Sequence, residues 1–126
     1  MSLKTPLAKV RGLGSAKEGS HHWWVQRMTA LALIPLTLWF VFAVAVMAGQ
    51  DHATMIAWVA EPFNAVMLLL LVVLTFHHTH LGLQVVIEDY LHNEVVKIGA
   101  LVAVKFGCFV LGTIGCFAIL KVAFGS

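Results

Sequence analysis

The sequence predicts an all-α integral membrane protein with three transmembrane helices. Of its 126 residues, 60% are hydrophobic and only 11% are charged, and the mean hydropathy is +0.92. A soluble domain carries charge on roughly a quarter of its residues, so this chain lacks the charged surface that water requires. Three apolar segments are also long enough to cross about 30 Å of hydrocarbon, which takes roughly 20 helical residues.

The three spans follow one another closely along the chain. The first is predicted from about residue 28 to 47, the second from about 63 to 87, and the third from about 98 to 124. Pro62 suits the first position of the second helix, because the amide hydrogen that proline lacks would have no partner there. The stretch from 55 to 65 could lie flat on the membrane surface, where the second helix starts.

The distribution of positive charge predicts the orientation. Residues 1–27 form a polar segment ahead of the membrane domain, residues 28–126. The connection from 48 to 62 contains no Lys or Arg, whereas Lys97 follows the second span. Because loops rich in Lys and Arg stay in the cytoplasm, we expect a cytoplasmic N-terminus and an external C-terminus. The basic residues before the first span are Lys4, Lys9, Arg11, Lys17 and Arg27.

Other classes of protein are excluded by composition and spacing. The net charge is only +2, and no basic stripe interleaved with aromatic residues is present, so nucleic acid is not an expected partner.

Cys108 and Cys116, both in the third span, are separated by about 12 Å of helical rise, which is too far for a disulfide. Lys105 lies inside the third span, near enough to its cytoplasmic end for the side chain to snorkel.

Polar side chains cluster at the end of the second span, in "HHTHLGLQVVIEDY". On a helix that advances about 100° per residue, Gly82 lies about 40° and Asp89 about 20° from His78, so the three share one face. His78 is about 13 Å inside the cytoplasmic end of the span, close to the bilayer midplane. Asp89 and Tyr90 are expected at the cytoplasmic interface.

This arrangement suits a flat ligand that contains a metal. An imidazole deep in a membrane can bind haem iron, and Gly82 would leave room for the ring to lie against the helix. Alternatively, His78 hydrogen-bonds a neighbouring helix and Gly82 is a close-packing point. The first and third helices are expected to contain no histidine, because the histidines outside the second span would lie at interfaces or in loops, namely His21, His22, His52 and His92. Met28, Met47 or Met67 could replace a second histidine ligand; otherwise that ligand would have to come from another chain. Such a chain would be a subunit of a larger complex.

The residues at the interface suggest a second site. The phenol of Tyr90 can donate a hydrogen bond to a quinone carbonyl, and the carboxylate of Asp89 can pass protons from water. The alternative is an ordinary solvated helix end with Tyr90 as an interfacial anchor. Arg27 could neutralise an anion such as a haem propionate, or it could reach a lipid phosphate.

These features resemble the hydrophobic membrane anchor of succinate dehydrogenase, the D-type subunit that pairs with a cytochrome b subunit. The likeness is carried by His78, by Gly82 four residues later, and by Asp89 followed by Tyr90. The segment "HHWWVQRMTALALIPL" also looks like the arginine-bearing entry to the first span of that family. The resemblance covers roughly residues 20 to 126.

The resemblance implies roles for individual residues. His78 would be one axial ligand of a haem b whose other ligand is a histidine of the partner subunit, with Gly82 beside the haem. Tyr90 would hydrogen-bond a carbonyl of ubiquinone, Asp89 would assist proton delivery, and Arg27 would contact a haem propionate.

The resemblance also implies the partner subunits of the chain and the complex that they form. The partners would be a cytochrome b subunit, an iron–sulfur subunit and a flavoprotein subunit in respiratory complex II of a bacterial inner membrane. The complex would serve electron transport and the tricarboxylic acid cycle. The chain has no flavin or iron–sulfur motif, so it would be part of an enzyme without oxidising succinate by itself.

Two neighbouring histidines leave alternatives open. His77 and His80 flank His78, where members of the family often have apolar or aromatic residues, so the ligand could be displaced by one position. The spacing to Gly82 and Asp89 favours His78. A different function would be a small transport or metal-handling protein that uses His77 and His80 as a pair. A third would be a scaffold subunit without a cofactor.

Overall fold

The computed structural model describes residues 15–125, with side chains described from residue 19 onwards. The described residues form four helices: α1 (Ser15–Met47), α2 (His52–Ala60), α3 (Pro62–Tyr90) and α4 (Glu94–Phe124). Three segments are long and apolar enough to cross a membrane, namely Gly19–Met47, Pro62–Tyr90 and Glu94–Phe124. The predicted all-helical membrane fold with three spans is therefore confirmed.

The helices extend beyond the predicted apolar spans. Helix α1 begins at Ser15, well before residue 28, where the first span was predicted to start. Helix α3, which contains the second predicted span, ends at Tyr90 and not near residue 87. At 33 residues, α1 is about 50 Å long, which exceeds the hydrocarbon thickness of about 30 Å. Hydropathy marks only the part of a helix that contacts lipid, whereas backbone hydrogen bonds continue into the polar ends.

Helix α3 lies between α1 and α4 and packs against both of them. The side of α1 that faces this contact carries a buried residue at every seventh position, Thr29, Leu36 and Ala43. A seven-residue repeat keeps one face of a helix against its neighbour. The buried residues of α3 are Ala65, Leu68 and Leu81.

Small residues allow α3 and α4 to approach closely. A Cβ atom at Gly112 would lie 3.6 Å from the Phe76 side chain, and one at Gly115 would lie only 3.0 Å from Val72. Small residues at such contacts are typical of transmembrane helix packing. Cys108 and Cys116 both lie on α4 and are free thiols.

The short helix α2 packs against α3 and α4, and its single tryptophan, Trp58, reaches α1. Asp51 caps its N-terminus by accepting a hydrogen bond of 3.0 Å from the Thr54 amide. The side chain and amide of Thr54 hold the pKa of the Asp51 carboxyl below its ordinary value. Trp58 stacks on Trp39 with ring centroids 5.7 Å apart. Pro62 is the first residue of α3, as predicted, whereas the orientation of α2 relative to the membrane surface stays a prediction.

The position of the termini relative to the membrane also stays a prediction. So does the division of the chain into a polar segment, residues 1–27, and a membrane domain, residues 28–126. The helical structure crosses that division without a break, because α1 includes residues on both sides of it.

Candidate functional site

His78 lies at the contact between α3 and α1. Its Nδ1 atom is 3.0 Å from the hydroxyl oxygen of Thr29, a residue 49 positions earlier in the chain. The Thr29 side chain is buried, with 6% of its surface exposed, whereas His78 is partly exposed. A neighbouring helix therefore holds one nitrogen of the imidazole and leaves the other nitrogen, Nε2, for a different partner.

The surroundings of Thr29 favour one direction for the hydrogen bond with His78. The hydroxyl oxygen is 2.8 Å from the carbonyl oxygen of Val25 and 3.0 Å from that of Gln26. A hydroxyl has one proton to donate, and carbonyl oxygens can only accept. With that proton on the shorter contact, to Val25, the hydroxyl oxygen accepts from Nδ1–H of His78. This assignment leaves Nε2 with a free lone pair.

Gly82 lies on the same side of α3 as His78. A Cβ atom at Gly82 would be 3.5 Å from Nε2 of Gln26, which is an ordinary van der Waals contact. The predicted common face of His78 and Gly82 is thus confirmed, and it is turned toward α1. From the pair His78–Thr29 to the pair Gly82–Gln26, the residue number rises along α3 and falls along α1. The two helices therefore run antiparallel.

The prediction that the first helix contains no histidine is wrong, because α1 begins early enough to include His21 and His22. Among the described residues, Nε2 of His22 and Oε1 of Gln26 are buried without a hydrogen-bond partner. His22 lies seven residues before Thr29, about 10 Å along the helix axis. It is therefore too far from His78 to bind the same ion, and a second ligand would still have to come from elsewhere.

Of the predicted interfacial residues, only Asp89 and Tyr90 lie at a helix end, whereas Arg27 lies 12 residues inside α1, two residues before Thr29. Asp89 and Tyr90 close α3, and both are exposed, Tyr90 to 76%. The guanidinium carbon of Arg27 is 5.3 Å from the centre of the Trp23 ring, within the range of a cation–π contact. Within residues 19–125, Arg27 and Asp89 form no ion pair.

His77 and His80 point to a different surface from His78. Together with Lys105 they line a groove of about 480 Å³ between α3 and α4, and their ring centroids are 6.4 Å apart. No group of three or more His, Cys, Asp or Glu side chains that could hold a metal ion occurs in the described part of the chain. The histidine cluster in the sequence is therefore divided between two faces of α3.

Thr29 and Gln26 were not identified from the sequence, although both contact the candidate site. Threonine is common in transmembrane helices, where its hydroxyl bonds to the preceding turn, so it gives no signal alone. A signal was available in the seven-residue spacing of Thr29, Leu36 and Ala43, which places a polar side chain in an otherwise apolar stripe. A buried imidazole also requires a hydrogen-bond partner.

Comparison with known proteins assigns the family. The family model of the succinate dehydrogenase/fumarate reductase transmembrane subunit matches residues 1–114. The chain belongs to this family. As a succinate dehydrogenase/fumarate reductase transmembrane subunit, it is part of an oxidoreductase complex, and the resemblance inferred from its motifs is confirmed.

The alignments of this transmembrane subunit with individual relatives cover most of both chains. The succinate dehydrogenase hydrophobic membrane anchor subunit of Rickettsia bellii (strain RML369-C) is 36% identical over 102 residues, which cover 81% of this chain and 82% of that protein. The subunit of the same name from Rickettsia conorii (strain ATCC VR-613 / Malish 7) is 39% identical over 70% and 71% of the two chains. That of Paracoccus denitrificans is 34% identical over 82% and 80%. The prediction of a multi-pass bacterial membrane protein is thus confirmed.

Proposed function

We propose that this chain is the membrane anchor subunit of a succinate:ubiquinone oxidoreductase, respiratory complex II, and that His78 would hold the iron of a haem b. The second ligand would be a histidine of a cytochrome b subunit. The proposal is supported by the family of the chain and by the position of His78 near the middle of α3.

The single observation that supports the haem assignment is that the hydrogen bond between His78 and Thr29, which the alternative interpretation also expects, uses only Nδ1 of the imidazole. Histidines that bind metals usually donate their other ring N–H to a protein acceptor, which fixes the tautomer and the orientation of the ring. The Nδ1 atom of His78 has such an acceptor at 3.0 Å. The residues present therefore fit a haem bound through Nε2.

A bound haem b supplies one-electron transfer, and the chain supplies its position. His78 would hold the iron, and Gly82 would lie beside the haem, where Gln26 of α1 is its neighbour in the isolated chain. Arg27 is exposed on α1 two residues before Thr29, which lies against His78, so its guanidinium could pair with a haem propionate.

The quinone site is proposed at the end of α3. The Tyr90 phenol would donate a hydrogen bond to a quinone carbonyl, and Asp89 would transfer protons between water and the quinone. Both side chains are exposed in the isolated chain, so a partner subunit could complete the pocket around them. An iron–sulfur subunit and a flavoprotein subunit would bind on the cytoplasmic side and oxidise succinate there.

Replacement of His78 tests the haem assignment. In the complex purified with a tagged chain, His78→Leu should abolish or shift the b-type haem band in the dithionite-reduced difference spectrum. His77→Leu is the matched control, because His77 is the adjacent histidine and lines the groove on the other side of α3. An unchanged spectrum in the His78 variant would exclude His78 as a ligand.

A further inference from the structure

We infer that Thr29 is a positioning residue for the haem ligand. Its hydroxyl oxygen accepts a hydrogen bond from Nδ1–H of His78, fixes the plane of the imidazole and strengthens Nε2 as a donor to iron. This inference rests on the proposed role of His78 and adds to it a residue of a different helix that controls the electronic properties of the ligand.

The hydroxyl of Thr29 is held in place by its own helix. Its proton is directed to the backbone of the preceding turn, where Val25 and Gln26 present carbonyl oxygens at 2.8 and 3.0 Å. The oxygen lone pairs are then directed away from that turn, toward His78 at 3.0 Å. The oxygen acts as a fixed acceptor, because rotation toward His78 as a donor would give up the bond to Val25.

The packing around Thr29 shields the threonine end of the bond from water. The side chain is 6% exposed and belongs to the buried stripe of α1 that includes Leu36 and Ala43. Water that could compete for Nδ1–H has little access to such a site, and hydrogen bonds are stronger where the local dielectric constant is low. Because the bond joins α1 to α3, the orientation of the imidazole is set by the packing of the two helices.

The expected consequence is a lower midpoint potential of the haem. An acceptor on Nδ1–H raises the basicity of the imidazole, and a more basic ligand favours the oxidised, more positive iron. Loss of such a partner commonly changes metal affinity about 10- to 100-fold. A tenfold change in the preference for oxidised over reduced iron corresponds to about 59 mV for one electron.

The test compares three variants in the complete, detergent-purified complex. Thr29→Val keeps the volume and removes the acceptor, and Thr29→Ser keeps the hydroxyl. Thr113→Val is the matched control, because the Thr113 hydroxyl makes the same type of bond, 2.8 Å to the Phe109 carbonyl. Haem content, the midpoint potential and the electron paramagnetic resonance spectrum of the oxidised haem are measured for each.

We expect the midpoint potential to rise in Thr29→Val, by up to about 59 mV for a tenfold effect. The resonance spectrum should change as the ring plane is released, and Thr29→Ser and Thr113→Val should resemble the wild type. If Thr29→Val does not retain haem while Thr29→Ser and Thr113→Val do, the requirement for the hydroxyl acceptor is supported by haem content instead.

Two results would overturn the inference: Thr29→Val with the potential and spectrum of the wild type, or Thr29→Ser altered as strongly as Thr29→Val. The His78→Leu variant separates this failure from failure of the proposed function. If His78→Leu loses the haem band and Thr29→Val has no effect, the ligand assignment stands and only the role of Thr29 is wrong. If His78→Leu leaves the band unchanged, the proposed ligand itself is wrong.

Discussion

At the scale of single residues, the sequence identifies side chains that are costly in a membrane. An imidazole near the middle of an apolar helix requires a partner, and this requirement singled out His78 before its contacts were known. The partner, Thr29, could not be identified in the same way. Its pairing depends on which faces of α1 and α3 meet, and that information lies in the packing of many apolar residues.

Replacement of Tyr90 tests the proposed quinone site. Tyr90→Phe removes a hydroxyl that would donate to the quinone, so reduction of ubiquinone by succinate should slow by up to about tenfold, the value of one ordinary hydrogen bond. Reduction of a soluble dye that takes electrons from the succinate-oxidising subunits should be unaffected. Equal losses in the two assays would indicate a general defect of the complex and not a quinone role.

At the scale of helices, apolar length predicted the number and the approximate position of the spans. The ends were predicted less well, because the polar residues that precede residue 28 continue the α1 helix without any hydropathic signal. The early start of α1 has a functional consequence. It puts Gln26 beside Gly82 of α3 and buries one ring nitrogen of His22, where the sequence had suggested only a polar segment.

The close approach of α3 and α4 gives a prediction for two glycines. In Gly115→Ala the new methyl group would lie 3.0 Å from the Val72 side chain, which is stiff because it is β-branched, so we expect overpacking to make the complex about 1–3 kcal/mol less stable than Gly107→Ala. Gly107→Ala is the matched control on the same helix, because a Cβ atom there has no neighbour within 4 Å. Thermal unfolding of the detergent-solubilised complex measures both. Equal stability of the two variants would show that the α3–α4 contact is looser than described.

At the scale of the whole molecule, the chain has the character of a subunit. Large apolar side chains are exposed along all three long helices, and the described part of α4 has no buried residue. Lipid or partner subunits must cover these surfaces in a membrane. Hydropathy could predict this exposure, but one sequence cannot show which surface faces lipid and which faces a partner, since both are apolar.

The central claim is that this chain holds a haem b that receives electrons from succinate. The measurement that tests it most directly is the optical difference spectrum of the complex, purified gently from native membranes through a tag on this chain, before and after addition of succinate. The account predicts a b-type haem band that appears with succinate and is absent or shifted in His78→Leu. A complex without such a band, with succinate and with dithionite alike, would contradict it.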